Sequence, residues 1–448
     1  MSTRTVNTQR LTAVTDAFRS LPGRYLGADP GFEATFQIKL GDLGRTWEVS
    51  CTNHGARVRQ GATRRAPDVT ISTDAATWLA LRQGDLSGID AFEQRRLAVR
   101  GNLDYAIAFE GMFRLPGGRP PLLQIHDVTA GRHRISTLTM GHGPDVLLLH
   151  GLGGTRASLF ETAAALSQRY RVHAPDLPGF GSSSKPARGA YNARWFAEAM
   201  LAMMDAQGIG NTHIVGNSMG GRIALELAMT APERVNALGL LCPAVAWVKR
   251  GLHPLVRLLR PEFGLLPHGF RRGMVASQFW SMFYDRDVID PAVGELMVDE
   301  FRRIYHSAGA RYAFLSSARN IYLEAPYGKH GFYPRLAELE PPALFVWGTH
   351  DRLVPSGFSR HVSKWLPGAE QVVLQNCGHV PQVERPVQTN ELLLDFFARA
   401  DAKASGTPAV IRPAAAREVS DRLAQAAEPK RKRAGGSGPA AGDIGAAA

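Results

Sequence analysis

The pattern of hydrophobic and polar positions changes near residue 115. Before that point, four short runs alternate like half-buried strands: 36–40, 47–51, 69–73 and 97–99. Asp74 is placed to cap a helix at 75–82, and a second amphipathic helix is predicted at 105–113. Strands in succession with helices at the ends predict a small α+β domain over residues 1–115.

A different pattern follows the segment Leu115–Pro121, whose prolines and glycines predict a linker. Strands are predicted at 145–150, 171–174, 212–215, 235–241, 343–347 and 370–374, with helices at 157–168, 193–207 and 219–229. The run Asp145–His150 is mostly apolar, as in a strand buried on both faces. This β-α-β order predicts an α/β domain with a mostly parallel sheet over residues 122–400.

The alternation of strands and helices lapses between residues 241 and 343. This region holds helical patterns at 296–305 and 311–322. Its length far exceeds the usual strand-to-helix connection of about 2–6 residues. We therefore predict a helical cap over the site, at about residues 243–335.

Residues 401–448 form a tail rich in Ala, Gly and Pro that has too few large apolar residues to order itself. It carries four consecutive basic residues: Lys430, Arg431, Lys432 and Arg433. The chain has a net charge of +12, which favours anionic partners. The basic run predicts weak contact with an anionic membrane, the alternative being a solvated tail. No specific nucleic-acid partner is predicted.

The remaining composition predicts a cytoplasmic protein. The start of the chain is polar and carries no secretory pattern, and no apolar stretch reaches the about 20 residues that a membrane span needs. Cys51, Cys242 and Cys377 are far apart and odd in number, which disfavours a disulfide framework. Cys377 lies two residues before His379, so it is either a reactive thiol or, more simply, a small buried side chain.

The most informative motif is Gly216-Asn-Ser-Met-Gly220, which matches G-x-S-x-G between a predicted strand and a predicted helix. Such a turn is tight, so the positions two residues on either side of the serine must be small. The turn exposes the Ser218 hydroxyl as a nucleophile. It also directs the Met219 N–H, at the start of a helix, toward a developing oxyanion.

A second glycine-rich turn, His150-Gly-Leu-Gly-Gly154, follows the buried strand at 145–150. Its glycines let the backbone curl so that one N–H faces the pocket. We predict the Leu152 N–H as the second oxyanion donor, with Gly153 as the alternative. His150 itself is interpreted as structural.

The acid and the base are predicted after the last two strands. Asp351, in Gly348-Thr-His-Asp351, would accept the Nδ1–H of His379 and hold that ring in the correct tautomer. The chain order Ser218, Asp351, His379 is the order of an α/β-hydrolase triad. His350 would point the other way on an extended segment, and Asp176 is interpreted as organising its own turn.

These motifs together resemble the capped α/β-hydrolases over residues 122–400. The resemblance also includes Asp176-Leu-Pro-Gly-Phe-Gly181 and implies hydrolysis of esters, thioesters, lactones or amides. A serine at position 218 argues against the epoxide and halide hydrolases, which use aspartate. The elbow also looks like that of the meta-cleavage-product hydrolases, which break carbon–carbon bonds. Those enzymes carry Gly-Pro-Gly and a Trp where this chain has Gly153-Gly-Thr155 and Val380.

The first domain resembles the sterol-carrier-protein family over about residues 10–115. The matching segments are Pro67–Ser72, Trp78–Leu81, Gly84–Leu86, Phe92 and Leu97–Gly101. The family's usual Gly-Lys before the last strand is replaced by Gln94-Arg-Arg96. The resemblance implies an apolar tunnel for a sterol or acyl chain. The alternative is a folding or dimerisation module that binds no ligand.

The sequence thus predicts a serine hydrolase that cleaves an ester or thioester of a lipid-like, acyl or sterol, substrate. No metal or organic cofactor is predicted. Phe279, Trp280 and Phe283 would bind the substrate, or else form the core of the cap. Two alternatives stay open: a carbon–carbon bond hydrolase, and a lipid carrier without catalysis.

Overall fold

The computed structural model describes residues 3–28, 31–247, 253–258, 260–266, 271–289 and 291–406. All of the described residues belong to one compact unit. The basic run Lys430–Arg433 lies outside the described residues. Among those described, no helix is long and apolar enough to cross a membrane.

The N-terminal part contains a five-stranded sheet and four helices. Its elements are α1 Thr3–Arg24, β1 Glu33–Leu40, β2 Arg45–Thr52, β3 Gly55–Gln60, β4 Val69–Thr73, α2 Ala75–Gln83, α3 Gly88–Glu93, β5 Leu97–Gly101 and α4 Leu103–Gly111. The strand order is β3-β2-β1-β4-β5, in which only the β1–β4 pair is parallel. The predicted α+β arrangement is confirmed, while α1, β3 and α3 were not predicted.

Aromatic rings fill the core of this first sheet. Phe18 stacks on Trp47 and on Trp78, with ring centroids 4.4 and 4.5 Å apart. Phe36 packs on Phe109 at 4.7 Å. Asp74 caps α2 by accepting the Thr77 N–H at 2.8 Å. The sheet is thus a packed layer with α1, α2 and α4 completing its core.

The second part of the chain forms an eight-stranded sheet with helices around it. Its elements are β6 Leu123–Ala130, β7 His133–Met140, β8 Asp145–Leu149, α5 Phe160–Ser167, β9 Arg171–Pro175, α6 Ala193–Ala206, β10 Thr212–Asn217, α7 Met219–Thr230, β11 Val235–Leu241, α8 His253–Leu258, α9 Arg272–Trp280, α10 Pro291–Ile304, α11 Ala308–Leu323, α12 Phe332–Leu336, β12 Ala343–Gly348, α13 Ser359–Trp365, β13 Glu370–Leu374, α14 Pro381–Glu384 and α15 Pro386–Ser405.

The strand order of this sheet is β13-β12-β11-β10-β8-β9-β7-β6. The strands from β13 to β9 pair in parallel, whereas β7 pairs antiparallel with both β6 and β9. The mostly parallel sheet is confirmed. The hairpin of β6 and β7 was missed because its polar and apolar residues mix without a clear alternation. Helices α8 to α12 lie between β11 and β12, where the cap was expected.

A buried ionic cluster joins helix α4 of the first domain to turns of the second. Asp104 of α4 is fully buried and lies 3.3 Å from Arg156, which in turn lies 3.2 Å from Asp176. The Ser182 hydroxyl donates to Asp104 at 2.5 Å. Burial alone would raise the pKa of Asp104, but Arg156 and Ser182 outweigh it and hold that pKa below its usual range. A residue of the first domain is therefore part of the second domain's charged interior.

Candidate active site

Ser218 occupies a strained turn between β10 and α7. Its backbone angles are φ 53° and ψ −115°, a conformation that non-glycine residues rarely adopt. A side chain at Gly216 would meet the Gly220 carbonyl carbon at 2.5 Å, and one at Gly220 would collide with the Leu149 carbonyl oxygen. These two positions therefore require glycine. The tight elbow inferred from the motif is present in the structure.

Backbone hydrogen bonds hold the elbow against the end of β11. The Ser218 N–H donates to the Leu241 carbonyl and the Ala244 N–H donates to the Ser218 carbonyl, both at 2.9 Å. The Asn217 side-chain amide donates to the carbonyl of Leu241 at 3.0 Å and to that of His379 at 3.2 Å. The segments of the serine and the histidine are thus directly bonded to each other.

Asp351 and His379 form a buried hydrogen-bonded pair. His379 Nδ1 lies 2.7 Å from Asp351 Oδ2, and the two residues are 3% and 6% exposed, respectively. The other carboxylate oxygen, Oδ1, accepts the N–H groups of Leu353 and Val354 at 2.8 and 2.9 Å. Because the turn after β12 binds one oxygen, the other faces the imidazole in a fixed direction. This is the geometry by which a carboxylate orients a catalytic imidazole.

The glycine-rich turn after β8 faces the elbow. A side chain at Gly151 would come within 3.3 Å of the Ser218 Cβ. His150 is fully buried, where its Nε2 accepts the Leu177 N–H at 3.0 Å and its Nδ1 lies 2.8 Å from the Gly151 carbonyl. Since that ring is used to hold two loops together, its role in the structure is to shape the turn that carries Leu152.

Similarity to known proteins is found over the same residues. A family model described as alpha/beta hydrolase fold matches residues 144–283 and 291–386. The chain belongs to the α/β-hydrolase fold family. A model of the SCP-2 sterol transfer family matches residues 30–114, so an SCP-2 domain precedes the hydrolase.

The similar proteins include esterases and carbon–carbon bond hydrolases. A pimeloyl-[acyl-carrier protein] methyl ester esterase of Aeromonas hydrophila is 32% identical, over 58% of this chain and 98% of that protein. A 2-hydroxymuconate semialdehyde hydrolase of Pseudomonas putida is 31% identical, over 62% of this chain and 95% of that protein. The chain is therefore a hydrolase, but similarity of about 30% to enzymes of both kinds does not identify its substrate.

Two similar solved structures also differ in activity, since one is a carbon–carbon bond hydrolase and the other a phospholipase. A 2-hydroxy-6-oxo-6-phenylhexa-2,4-dienoate hydrolase from Rhodococcus sp. strain RHA1 is 29% identical, with a TM-score of 0.51 over 61% of this chain and 99% of that one. A bacterial membrane phospholipase A is also 29% identical, with a TM-score of 0.53 over 62% of this chain and 87% of that one.

Glu384 is a buried residue of this hydrolase that sequence reasoning missed. Its Oε2 accepts the Gly378 N–H at 2.7 Å, and its Oε1 accepts the N–H groups of Tyr284 and Asp285 at 3.1 and 2.9 Å. One carboxylate thus fixes both the turn before His379 and a segment of the cap. Only its position five residues after the histidine, in an otherwise ordinary helical turn, could have drawn attention to it.

Cys242 also lies at the site and was not selected from the sequence. One ligand atom each of Cys242, Asp351 and His379 lie within 4.8 Å of one another, close enough to surround a cation. Asp351 and His379 are already hydrogen-bonded to each other in this group. Burial raises the pKa of Cys242 well above its usual value and that of Cys377 to about 12, so both thiols stay protonated and unreactive at neutral pH.

The other histidines and acids weighed in the sequence lie away from this arrangement. His350 is exposed and its ring stacks on Tyr284 at 3.9 Å. His173 and His213 lie 2.7 and 2.8 Å from carboxylate oxygens of Asp145 and Asp401. Asp176 accepts the N–H groups of Arg156 and Ser182, which organises its own turn.

The aromatic cluster of the cap divides between two environments. Phe279 and Phe283 line an apolar cavity beside Val380, the residue after His379. Trp280 packs on both rings, with centroid distances of 5.1 and 5.9 Å, and lines a separate pocket. The predicted substrate residues are thus part of the cap core, and each also faces an open space, Trp280 a different one from Phe279 and Phe283.

Proposed function

We propose that this α/β-hydrolase cleaves an ester or thioester of a lipid-like substrate through Ser218. The observation that carries the proposal is the combination of a strained serine elbow with a buried imidazole–carboxylate pair, His379 and Asp351, bonded to the neighbouring segment. Strained backbone is retained where function requires it.

The reaction would proceed in two steps. His379 takes the Ser218 proton as the hydroxyl oxygen attacks the acyl carbonyl, and the resulting imidazolium then protonates the leaving alcohol or thiol. In the second step the same imidazole takes a proton from water as the water oxygen attacks the acyl carbonyl, and the imidazolium returns that proton to Ser218 Oγ when the ester bond to the serine breaks and the acid leaves. The N–H groups of Met219 and Leu152 are the proposed oxyanion donors, with Gly153 as the alternative to Leu152.

Two observations support an apolar substrate. The SCP-2 domain precedes the hydrolase in the same compact unit, and the cavity beside Val380 is lined mainly by apolar side chains from both domains. The similarity to a membrane phospholipase A supports a lipid ester as the substrate, since a phospholipase A hydrolyses an ester bond of a phospholipid. A cytoplasmic location and weak contact of the basic tail with anionic membranes remain predictions.

A carbon–carbon bond hydrolase is the second candidate function. The similarity to hydrolases of 2-hydroxymuconate semialdehyde and of the phenylhexadienoate product favours it. Gly153-Gly-Thr155 and Val380 depart from the Gly-Pro-Gly and Trp that the resemblance to such enzymes implies. Turnover of a ring-cleavage product at a rate above that of octanoate esters would select this second function.

Labelling with a fluorophosphonate probe tests the nucleophile. The wild type should be labelled, and Ser218→Ala should not. Ser363→Ala is the matched control, since Ser363 is an exposed serine whose hydroxyl accepts a hydrogen bond from Gln371. Equal labelling of all three proteins would refute Ser218 as the nucleophile, and lipid binding without turnover of any ester would favour a carrier.

A further inference from the structure

An apolar cavity of about 170 Å³ lies at the boundary between the SCP-2 domain and the hydrolase. Three parts of the chain form its main walls: β5, α3 and α4 of the first domain, α9 and α10 of the cap, and the hydrolase body through residues 157–161 and the segment after His379. In other proteins, an apolar cavity of about 150 Å³ contains no ordered water and can bind a small hydrocarbon. The space is therefore suited to part of an apolar ligand.

The SCP-2 domain contributes one complete wall. Leu97 and Val99, two residues apart on β5, face the cavity, whereas the residue between them, Ala98, is exposed. Ala106 and Ile107 of α4 extend this wall. The edge strand thus turns Leu97 and Val99 toward the cavity and Ala98 and Arg100 toward solvent.

The opposite wall adjoins the catalytic histidine. The His379 N–H donates to the carbonyl of Met282 at 2.7 Å, and Met282 lines the cavity together with Val380. Phe279 and Phe283 of the cap complete this side. A chain in the cavity would therefore lie beside the segment that carries His379.

A polar atom lies at the end of the cavity formed by the SCP-2 domain. Glu110 lines the space and is 8% exposed. Its Oε2 accepts the Gly88 N–H at 2.6 Å, while Oε1 has no hydrogen-bond partner among the described residues. Burying such a group without a partner costs free energy, so an oxygen left in this state indicates a place for a ligand donor.

We propose that this boundary cavity binds the apolar chain of the ester substrate, with a hydroxyl group of that chain directed at Glu110. The proposal rests on the proposed function and adds to it. The SCP-2 domain would then serve as one wall of the hydrolase's substrate pocket rather than as a separate carrier.

The walls are held in fixed positions by the buried ionic cluster. Asp104 follows directly after Leu103, which lines the cavity, and pairs with Arg156 next to the cavity residue Ala157. Arg303 of the cap helix α10 lies 3.9 Å from Asp104 as well. Because one carboxylate contacts charged residues of the hydrolase body and of the cap, the three walls form a preorganised site.

Chain-length selectivity tests the site. Val99→Phe places a ring in the cavity, and Ala98→Phe places the same ring on the exposed side of the same strand. Two substrate pairs separate the two places a chain could occupy: p-nitrophenyl octanoate against p-nitrophenyl acetate for the acyl side, and octyl acetate against ethyl acetate for the alcohol side.

In the pair whose chain occupies the cavity, Val99→Phe should lower the long-to-short ratio of kcat/KM about ten-fold, since several buried methylenes lose their contacts. Ala98→Phe should leave that ratio unchanged. Ala106→Phe, on α4, serves as a second cavity variant if Val99→Phe unfolds. An unchanged ratio in both pairs for a folded cavity variant would overturn the proposal while leaving the serine hydrolase in place. No turnover of any ester would instead refute the proposed function.

Competitive inhibition tests the hydroxyl. At pH 8, where Glu110 is mostly ionised because its pKa is about 7, octan-1-ol should inhibit the wild type about ten-fold more tightly than 1-fluorooctane, since fluorine cannot donate to the carboxylate. Glu110→Leu should remove this difference, with circular dichroism confirming that the variant is folded. Equal inhibition of the wild type by both compounds, or inhibition that is not competitive, would overturn the assignment of Glu110.

Discussion

Side chains are held in two different ways at the catalytic edge of the hydrolase sheet and at the boundary with the SCP-2 domain. At the edge, backbone N–H groups after β12 bind one oxygen of Asp351, and a strained turn fixes Ser218. At the boundary, the contacts are made by side chains from distant segments, such as Asp104 and Arg156. Local turns therefore set the chemistry, while long-range packing sets the walls around it.

This difference predicts that changes at the edge alter rate, while changes at the boundary alter stability and selectivity. Removing the charge of Asp351 leaves the surrounding turn in place, because backbone N–H groups of that turn can still bind the remaining side-chain oxygen. Removing the carboxylate of Asp104 leaves Arg156 buried with one partner fewer. The following substitutions test the comparison in order of decreasing expected effect.

Asp351→Asn should lower kcat by about 10³–10⁴-fold, because an amide no longer holds the His379 tautomer that accepts the serine proton. The melting temperature should change little. Steady-state turnover of p-nitrophenyl octanoate measures the effect. His350→Gln is the matched control, because His350 is adjacent in sequence but its exposed ring stacks on Tyr284 instead of pairing with His379. This variant should keep a kcat near that of the wild type. A similar loss in both variants would contradict the assigned pair.

Asp104→Asn should destabilise the protein by about 3–5 kcal/mol, as the removal of one member of a buried ion pair does. Arg156 retains Asp176, which places the expected loss at the lower end of that range. Urea unfolding followed by tryptophan fluorescence measures it. Asp127→Asn, in a partly exposed pair with Arg134, should cost about 1 kcal/mol or less. Equal costs would mean that the boundary cluster is not a stabilising contact.

Glu110 should make stability depend on pH. Burial raises its pKa to about 7, opposed by Arg82 and the Gly88 N–H and assisted by Asp90. The folded protein therefore keeps a proton that the unfolded chain releases near pH 4, so stability should fall as the pH rises from about 4 to 7, by up to about 3 kcal/mol. Glu110→Gln should flatten this dependence in thermal unfolding between pH 5 and 8. An unchanged slope would contradict the raised pKa of Glu110 in the folded protein.

Gly220→Ala tests the space at the catalytic edge. Its methyl group would collide with the Leu149 carbonyl, so the variant should lose about 1–3 kcal/mol and some activity. Gly210→Ala is the control, since nothing lies within 4 Å of the position that its methyl group would occupy. Chemical denaturation of the two variants compares them. Similar stability in both would indicate that the elbow relaxes at little cost.

Most of the hydrolase fold could be predicted from the sequence because its buried strands are continuous apolar runs. Strand β11, Val235–Leu241, is almost fully buried and has the predicted bounds, and β8 and β12 differ from theirs by one residue each. The hairpin of β6 and β7 and the long helix α1 were missed. Their residues mix polar and apolar types, so their structure depends on what they pack against.

The elbow and the order of its partners were determined by the sequence alone, because glycine spacing and turn position act within a few residues of Ser218. Tertiary structure decided what surrounds that site. Glu384, Cys242 and the cavity walls come from segments far apart in the chain, brought together by the sheet and the cap. A side chain's neighbours across a domain boundary leave no local pattern, because only the folded arrangement places Asp104, Arg156 and Arg303 around one another.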